Sequence, residues 1–338
     1  MTWREQLAGD PLAWLLDREH PAVRAAALQR LLDRPDDDPD VVRARRRAMR
    51  VDPIASILAA QHAEGWWGKP GPGYGPKYTG TVWQLIILDQ LGADPANRQV
   101  QRACRYVLTW TAVAGGGFGV SGVGRERTPP PSAVLHCLNG NLLHALITFG
   151  YFEHPTVQAA VDWAARTITG DAPVTYYRSG TSGPGFECAA NDHQPCAWGA
   201  IKQLNALAGI PPERRSPAVA RAIEAGVGFL FSRDPAVADY PMGYGNTVPS
   251  SSWFRLGFPS GYVADVLQNL EVLASLGHAG DPRLDHAYDF VLSRQDSPGR
   301  WSNRYAYNGK TTVDIEPQGE PSKWVTLRAC TLLKARYG

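Results

Sequence analysis

Gln61-His62-Ala63-Glu64-Gly65-Trp66-Trp67 and Gln295-Asp296-Ser297-Pro298-Gly299-Arg300-Trp301 share the spacing Gln-x-x-x-Gly-x-Trp. Each follows an apolar stretch of helical periodicity, Ile54 to Ala60 and Tyr288 to Arg294. Weaker echoes lie between them: Tyr106 to Trp110 running into Gly117-Phe118, Trp163 to Thr169, and Phe229 to Arg233. The anchors recur at intervals of about 50 to 65 residues, the span of a helix pair with its loops.

A second signal recurs within each unit. Asp38-Pro39, Asp94-Pro95, His154-Pro155, Ser216-Pro217 and Asp281-Pro282 each open a helical segment. Asp or Ser can cap the free N–H groups of a first turn, and Pro at the first helical position loses an N–H that had no partner. His154 departs from the usual capping residues. Helices are expected near 23–33, 40–60, 79–91, 96–110, 138–149, 156–168, 195–208, 217–232, 261–277, 282–294 and 322–336. Gly- and Pro-rich stretches at 68–77, 115–131, 170–195, 240–260 and 299–321 each precede the first helix of the next pair. No strand pattern competes. The expectation is an all-α fold, an α/α toroid of five or six helix pairs in inner and outer layers. Residues 1–338 read as one domain, with 1–60 closing the ring and 61–338 supplying the repeats.

Composition narrows the function. The 338 residues carry 34 Lys and Arg against 32 Asp and Glu, so no strong field points to nucleic acid. Eleven Trp and 13 Tyr outnumber 9 Phe, and aromatic rings with a polar handle suit concave small-molecule sites. Five cysteines, an odd count, suggest no disulfide framework, and the charged start Met1-Thr2-Trp3-Arg4-Glu5 lacks a signal-peptide core. The uncharged stretch Tyr106 to Gly124 is too glycine-rich to span a bilayer. A cytoplasmic protein of unknown oligomeric state is expected. The basic run Arg43 to Arg50 reads as the solvated face of an outer helix, or as weak contact with anionic lipid.

The two Gln-x-x-x-Gly-x-Trp motifs, placed after outer-type helices at this period, resemble the QW repeats of terpene cyclases and the related turns of protein prenyltransferase β subunits. The resemblance implies an α/α toroid over nearly the whole chain. It also implies an enzyme acting on an isoprenoid or related small molecule in the lumen. The motif's structural role would be to tie a helix end to the next repeat through the amide while the Trp ring covers it. Two departures stand out. The Asp-x-Asp-Asp motif of class II cyclases is absent, and Asp36-Asp37-Asp38-Pro39-Asp40 sits where acidic residues favour a helix start. Prenyltransferases hold zinc with Asp and Cys at an inner-helix start and a His on a later inner helix. Asp192, Cys196 and Trp198 look similar at a longer spacing, but 261–277 and 322–336 contain no His.

Candidate site residues follow from the ring. Inner-helix N-termini would all point to one end, beneath the long loops, where the pocket is expected. Cys137, Cys188 and Cys196 converge there, with His193 or His136 as a fourth ligand, a set suited to tetrahedral zinc. Polar stripes on otherwise apolar inner helices would face the lumen and bind substrate. They carry Trp198 and Lys202, His144, and Tyr262 with Asp265. Lys310 and Lys323, with Lys69 and Lys77, could bind phosphate. Asp265, Asp314 and Glu316 are the candidate proton donors, since burial raises a carboxyl pKa. So polar a lumen favours an anionic substrate over a bare polyene. Two other readings remain: a zinc-dependent thioether-forming enzyme resembling lanthipeptide cyclases, and a non-catalytic scaffold for a ligand or peptide.

Overall fold

The computed structural model describes residues 2–120, 129–171 and 185–338, with the backbone of 174–176 and 180–182. Parts of the glycine-rich stretches at 115–131 and 170–195 therefore lie outside the described residues. Thirteen α-helices are described. The first seven are α1 (Leu12–Leu15), α2 (Pro21–Arg30), α3 (Pro39–Ala48), α4 (Ile54–Ala59), α5 (Thr81–Gln90), α6 (Arg98–Trp110) and α7 (His136–Thr148). They are followed by α8 (Pro155–Thr169), α9 (Ala197–Ala208), α10 (Pro217–Leu230), α11 (Val266–Leu273), α12 (Asp285–Leu292) and α13 (Lys323–Tyr337). Among the described residues two short antiparallel strand pairs accompany them, Val174–Tyr176 with Gly180–Ser182 and Trp301–Ser302 with Pro321–Ser322, beside isolated bridges.

The chain is an α/α toroid. Inner helices pack side by side in the order α5, α7, α9, α11, α13 and α2, and α6, α8, α10, α12 and α3 back them from outside. Several helix starts are set as expected. Asp38 accepts from the N–H groups of Asp40 and Val41, Ser216 from Val219, and His154 caps α8 by accepting from Thr156 through Nδ1. Other boundaries moved. The helix expected over 40–60 divides into α3 and α4, and α6 starts at Arg98 because Asn97, not Asp94, caps it. The helix expected from 261 starts at Val266 under an Asp265 cap and relaxes into a π turn at Ala274–His278.

The two Gln/Trp motifs do the same work twice. The Trp67 indole donates to Ile57 O at 2.6 Å and that of Trp301 to Val291 O at 2.7 Å, each ten residues back in the preceding outer helix. Their backbone N–H groups donate to Thr81 and Thr326, on the inner helices that follow. Both rings are fully buried. The glutamines reach onward: Gln61 donates to Gln99 O in α6 at 3.0 Å. Gln295 donates to Gln6 O at 3.1 Å and accepts from Ala8 N at 2.8 Å. The last motif thus clamps the first residues of the chain. Gly65 and Gly299, both at positive φ, leave no room for a Cβ against Arg102 and Gly9. Closure is reinforced where Lys323 donates to Trp14 O with its ammonium 4.5 Å from the Trp14 ring, and where Lys334 pairs with Asp33 at 2.6 Å.

The tightest inner contact joins α7 and α9. A Cβ on Gly140 would run into the Lys202 backbone, and one on Gly199 would stand 2.9 Å from the His136 Cβ. Gly140→Ala must therefore push two buried backbones apart. The expected cost is about 1 to 3 kcal/mol in a denaturant titration, despite alanine's better helix propensity. An unchanged or raised midpoint would show that the helices are not in contact there.

Candidate functional site

A chamber of about 960 Å³ lies within the ring, and all six inner helices line it. Its lining residues lie mostly toward the inner-helix C-terminal ends: Gln29 and Arg30 on α2, Asp89 and Gln90 on α5, His144 and Thr148 on α7. Lys202 and Asn205 on α9, Glu271 on α11, and Arg328 and Thr331 on α13 complete the polar part. Apolar wall comes from Ala22, Ala25, Ile86, Ile201, Val272 and Trp324, among others. The open space is therefore not at the mouth where the inner helices begin. There the ring is filled by side chains: Trp83 packs against Tyr78 at 5.1 Å and Tyr262 at 4.9 Å, and Tyr78 against Tyr307 at 4.6 Å.

The segment Phe258 to Gly261 dips into the ring and forms the chamber's floor. Gln90 holds Ser260 in both directions, donating to its carbonyl and accepting from its N–H, each at 2.8 Å. Asn141 donates to Gly261 O at 3.0 Å, and Lys202 Nζ donates to Ser260 Oγ at 2.9 Å. Asn303 grips Phe258 in the same two-way manner, and Phe258 stacks on Trp324 at 4.8 Å. Side-chain amides from α5, α7 and the segment after Trp301–Ser302 thus satisfy the backbone of a loop carried deep into the protein.

Four cations meet this space, of which Arg45 is paired with Asp36. Lys202 is buried, donates also to Gln268 Oε1, and has its pKa pulled down to about 8, chiefly by burial and further by Arg328. Arg328 is saturated: it grips Glu271 through Nε at 2.9 Å and Nη2 at 2.5 Å, and it donates to Gly257 O at 2.9 Å. Arg30 differs from both. Among the described residues no side-chain hydrogen bond or ion pair holds its guanidinium, which solvent reaches through the chamber. The surrounding protein still desolvates it enough to lower its pKa, with Glu271 and Asp89 opposing that effect.

His144 adds a proton-carrying group. Its Nδ1 lies 2.7 Å from Asp89 Oδ2. Burial disfavours the imidazolium, but the charge and hydrogen bond of Asp89 outweigh it and raise the pKa above the ordinary histidine value. With Nδ1 committed to Asp89, Nε2 is the nitrogen left for a ligand.

Of the residues expected to bind substrate, Lys202 and His144 line the chamber. Trp198 packs near Trp253 and Tyr262 near Trp83, both on the filled side. Lys310 is exposed on a loop, and Lys323 is occupied by Trp14 and Asp17 at the ring closure. The proposed proton donors are not brought together. Asp265 caps α11 by accepting from Gln268 and also accepts from Gly257; burial raises its pKa. Glu316 accepts from Lys323 N and Ser322 Oγ at the start of α13, and Asp314 is exposed, holding Gly309 N. Neither lines the chamber.

The thiols do gather near the inner-helix starts: Cys196 caps α9, Cys137 is the second residue of α7, and Cys188 is close enough to Cys196 for each thiol to act on the other. His193 is exposed; its backbone N–H donates to Cys188 O, and its side chain acts on the Cys188 thiol electrostatically. Among the described residues no three or more His, Cys, Asp or Glu side chains stand where they could hold a metal ion. The donor set as arranged does not fit zinc, and no step proposed below runs through a metal. The basic run on α3 is largely paired at the surface, Arg43 with Asp40, Arg45 with Asp36 and Arg47 with Glu19. No described helix is long and apolar enough to cross a membrane.

Arg30, Asp89, Glu271 and Arg328 were not anticipated. A signal existed for the last two, each a charge flanked by apolar residues within an inner helix, Leu270-Glu271-Val272 and Leu327-Arg328-Ala329.

No protein-family model matches the sequence, and no curated protein matches it. Among solved structures, the chain is similar to a variant of the type II terpene cyclase MstE from Scytonema in complex with geranylgeranyl dihydroxybenzoate. Identity is 16% and the TM-score 0.47, over 94% of this chain and 87% of that one. A second variant of MstE in complex with merosterolic acid A gives 15% and 0.45 over 92% and 85%. A family 10 polysaccharide lyase from Cellvibrio cellulosa in complex with trigalaturonic acid gives 13% and 0.35 over 69% and 82%. The closed double ring, rather than these distant likenesses, defines the fold.

Proposed function

We propose that this toroid is an enzyme that takes a small amphiphile, an isoprenoid-type chain with an anionic end, into the chamber between its inner helices. The observation that carries this reading is the guanidinium of Arg30, which no side chain among the described residues pairs, in a chamber that also holds the buried ammonium of Lys202 on neutral partners. A cation partly stripped of water and held in no direct ion pair is stabilised by an incoming anion. Lys202 supplies a second positive charge. The apolar wall suits a hydrocarbon body, and about 960 Å³ falls within the range of small-molecule sites. The His144–Asp89 pair holds a proton at the edge of this space and is the proposed general acid, delivering it from Nε2.

Calorimetry with farnesyl diphosphate, farnesol and inorganic diphosphate tests the reading, with products followed by mass spectrometry. Farnesyl diphosphate should bind at least about tenfold tighter than farnesol, and Arg30→Gln should remove about ten- to a hundredfold of its affinity. Equal binding of farnesol, or an indifferent Arg30→Gln, would overturn it. Tight binding with no turnover would favour the non-catalytic scaffold.

The pH dependence has a defined sign. Only the ammonium form of Lys202 attracts an anion, so affinity should fall as pH rises through about 8. In Lys202→Met that fall should vanish. A wild-type profile flat from pH 7 to about 9 would show that Lys202 does not meet the ligand.

A further inference from the structure

The chain around Cys188 and Cys196 forms a miniature hairpin. Glu187 bridges Pro195 in antiparallel sense, Cys188 N donates to Gln194 O at 3.2 Å, and Cys196 N donates to Phe186 O at 2.9 Å. Between them the chain reverses through a 3-10 turn at Ala189–Asn191 and two residues at positive φ, Asp192 and His193. Cys188 O accepts from both Asn191 N and His193 N, which fixes the loop.

Register then decides where the thiols fall. Cys188 stands opposite Gln194 and Cys196 opposite Phe186, so the two cysteines share one face as diagonal neighbours. Their side chains are close enough for each thiol to act on the other. Cys196 is anchored as the N-cap of α9, while Cys188 sits on the hairpin, and both are half-buried. The other three cysteines are placed differently. Cys104 and Cys330 are fully buried in α6 and α13; half-buried Cys137, on α7, acts electrostatically on both members of the pair, but among the described residues no hydrogen bond joins it to either.

We propose that Cys188 and Cys196 are a dithiol site that a hydroperoxide oxidises to a reversible disulfide. The Cys188 sulfur, as thiolate, attacks one peroxide oxygen; the O–O bond breaks, and the other oxygen takes a proton and leaves as an alcohol, or as water from hydrogen peroxide. The sulfenic acid so formed is attacked by the Cys196 sulfur. The S–S bond forms, the S–O bond breaks, and the hydroxyl leaves as water with the Cys196 proton. Two electrons pass from the thiols to the peroxide. The bond fastens the hairpin to the start of α9. It also fastens the neighbouring loop that Asn191 holds, donating to Pro241 O at 3.1 Å and accepting from Gly243 N at 3.0 Å. This site is independent of the chamber.

The test is brief treatment of the native protein with equimolar hydrogen peroxide, then alkylation and peptide mass mapping. The expected result is loss of about 2 Da and two of the five thiols, in a linked pair of peptides carrying Cys188 and Cys196, reversed by dithiothreitol. Cys188→Ser and Cys196→Ser, each checked for helicity by circular dichroism, should abolish the link, and Cys137→Ser should leave it. Five thiols still open to alkylation, a link through Cys137, or protection that ends only when a chelator strips bound zinc would each overturn the proposal.

Discussion

Trp301→Ala is expected to lower the free energy of unfolding by about 3 to 5 kcal/mol, the range for removing a large buried aromatic side chain. Three losses coincide at that position. A fully buried indole leaves a cavity, the carbonyl of Val291 loses its donor, and Gln295, which clamps Gln6 and Ala8, loses the cover of its motif. Trp301→Phe separates the first two, since it keeps most of the volume but orphans the carbonyl, at about 1 to 3 kcal/mol. Trp66→Ala is the control. That ring is half-exposed and stacks on His62 at 4.0 Å, so its removal should cost about 1 kcal/mol or less. Urea denaturation of the three variants would decide. Equal shifts for Trp66→Ala and Trp301→Ala would contradict the structural role assigned to the motif.

The second large effect belongs to Arg328. Arg328→Met keeps an aliphatic stem but leaves Glu271 and the buried Asp265 without the cation between them, at 2.5 and 3.9 Å. The expected loss is about 3 to 5 kcal/mol at neutral pH, the penalty for breaking a buried ion pair from one side. Its pH dependence follows from linkage. Burial already raises the pKa of Asp265 against the opposing charge of Arg328; without that cation it titrates higher still in the folded chain, so the folded state binds more protons above about pH 4 and stability falls as pH rises. The variant should therefore be closest to wild type near pH 4 to 5 and furthest from it at pH 7. Adding Glu271→Gln should restore part of the loss. A variant whose deficit is the same at pH 5 and pH 7 would show that the cost is packing alone.

The parts of the fold that could be read in the sequence are those where a residue has an obligatory partner. A buried indole N–H must find an acceptor and a motif glutamine must find a backbone. Both copies of Gln-x-x-x-Gly-x-Trp accordingly mark the same junction, and Ser216 and Asp38 cap where capping chemistry places them. The inner helix α2 could not be read as such. It is alanine-rich, and its face toward the chamber looks like any small-residue surface until Arg30 is seen at its end. The position of the chamber was hidden for a different reason. Helix polarity reveals which end carries free N–H groups but not which end is filled. That is settled by tertiary packing, by Phe258 to Gly261 entering the ring and by Tyr74, Tyr78, Trp83, Tyr262 and Tyr307 closing one side. Asp265 illustrates the same limit. Expected on the polar stripe of an inner helix, it caps α11 and steadies Gly257.

A crystal structure of the protein grown with farnesyl diphosphate tests the central claim most directly. The account predicts phosphate oxygens within hydrogen-bond distance of Arg30 and close to Lys202, with the hydrocarbon against Ile86, Ile201 and Val272. A ligand seated instead among the tyrosines at the inner-helix starts, or a chamber left empty at saturating ligand, would contradict it.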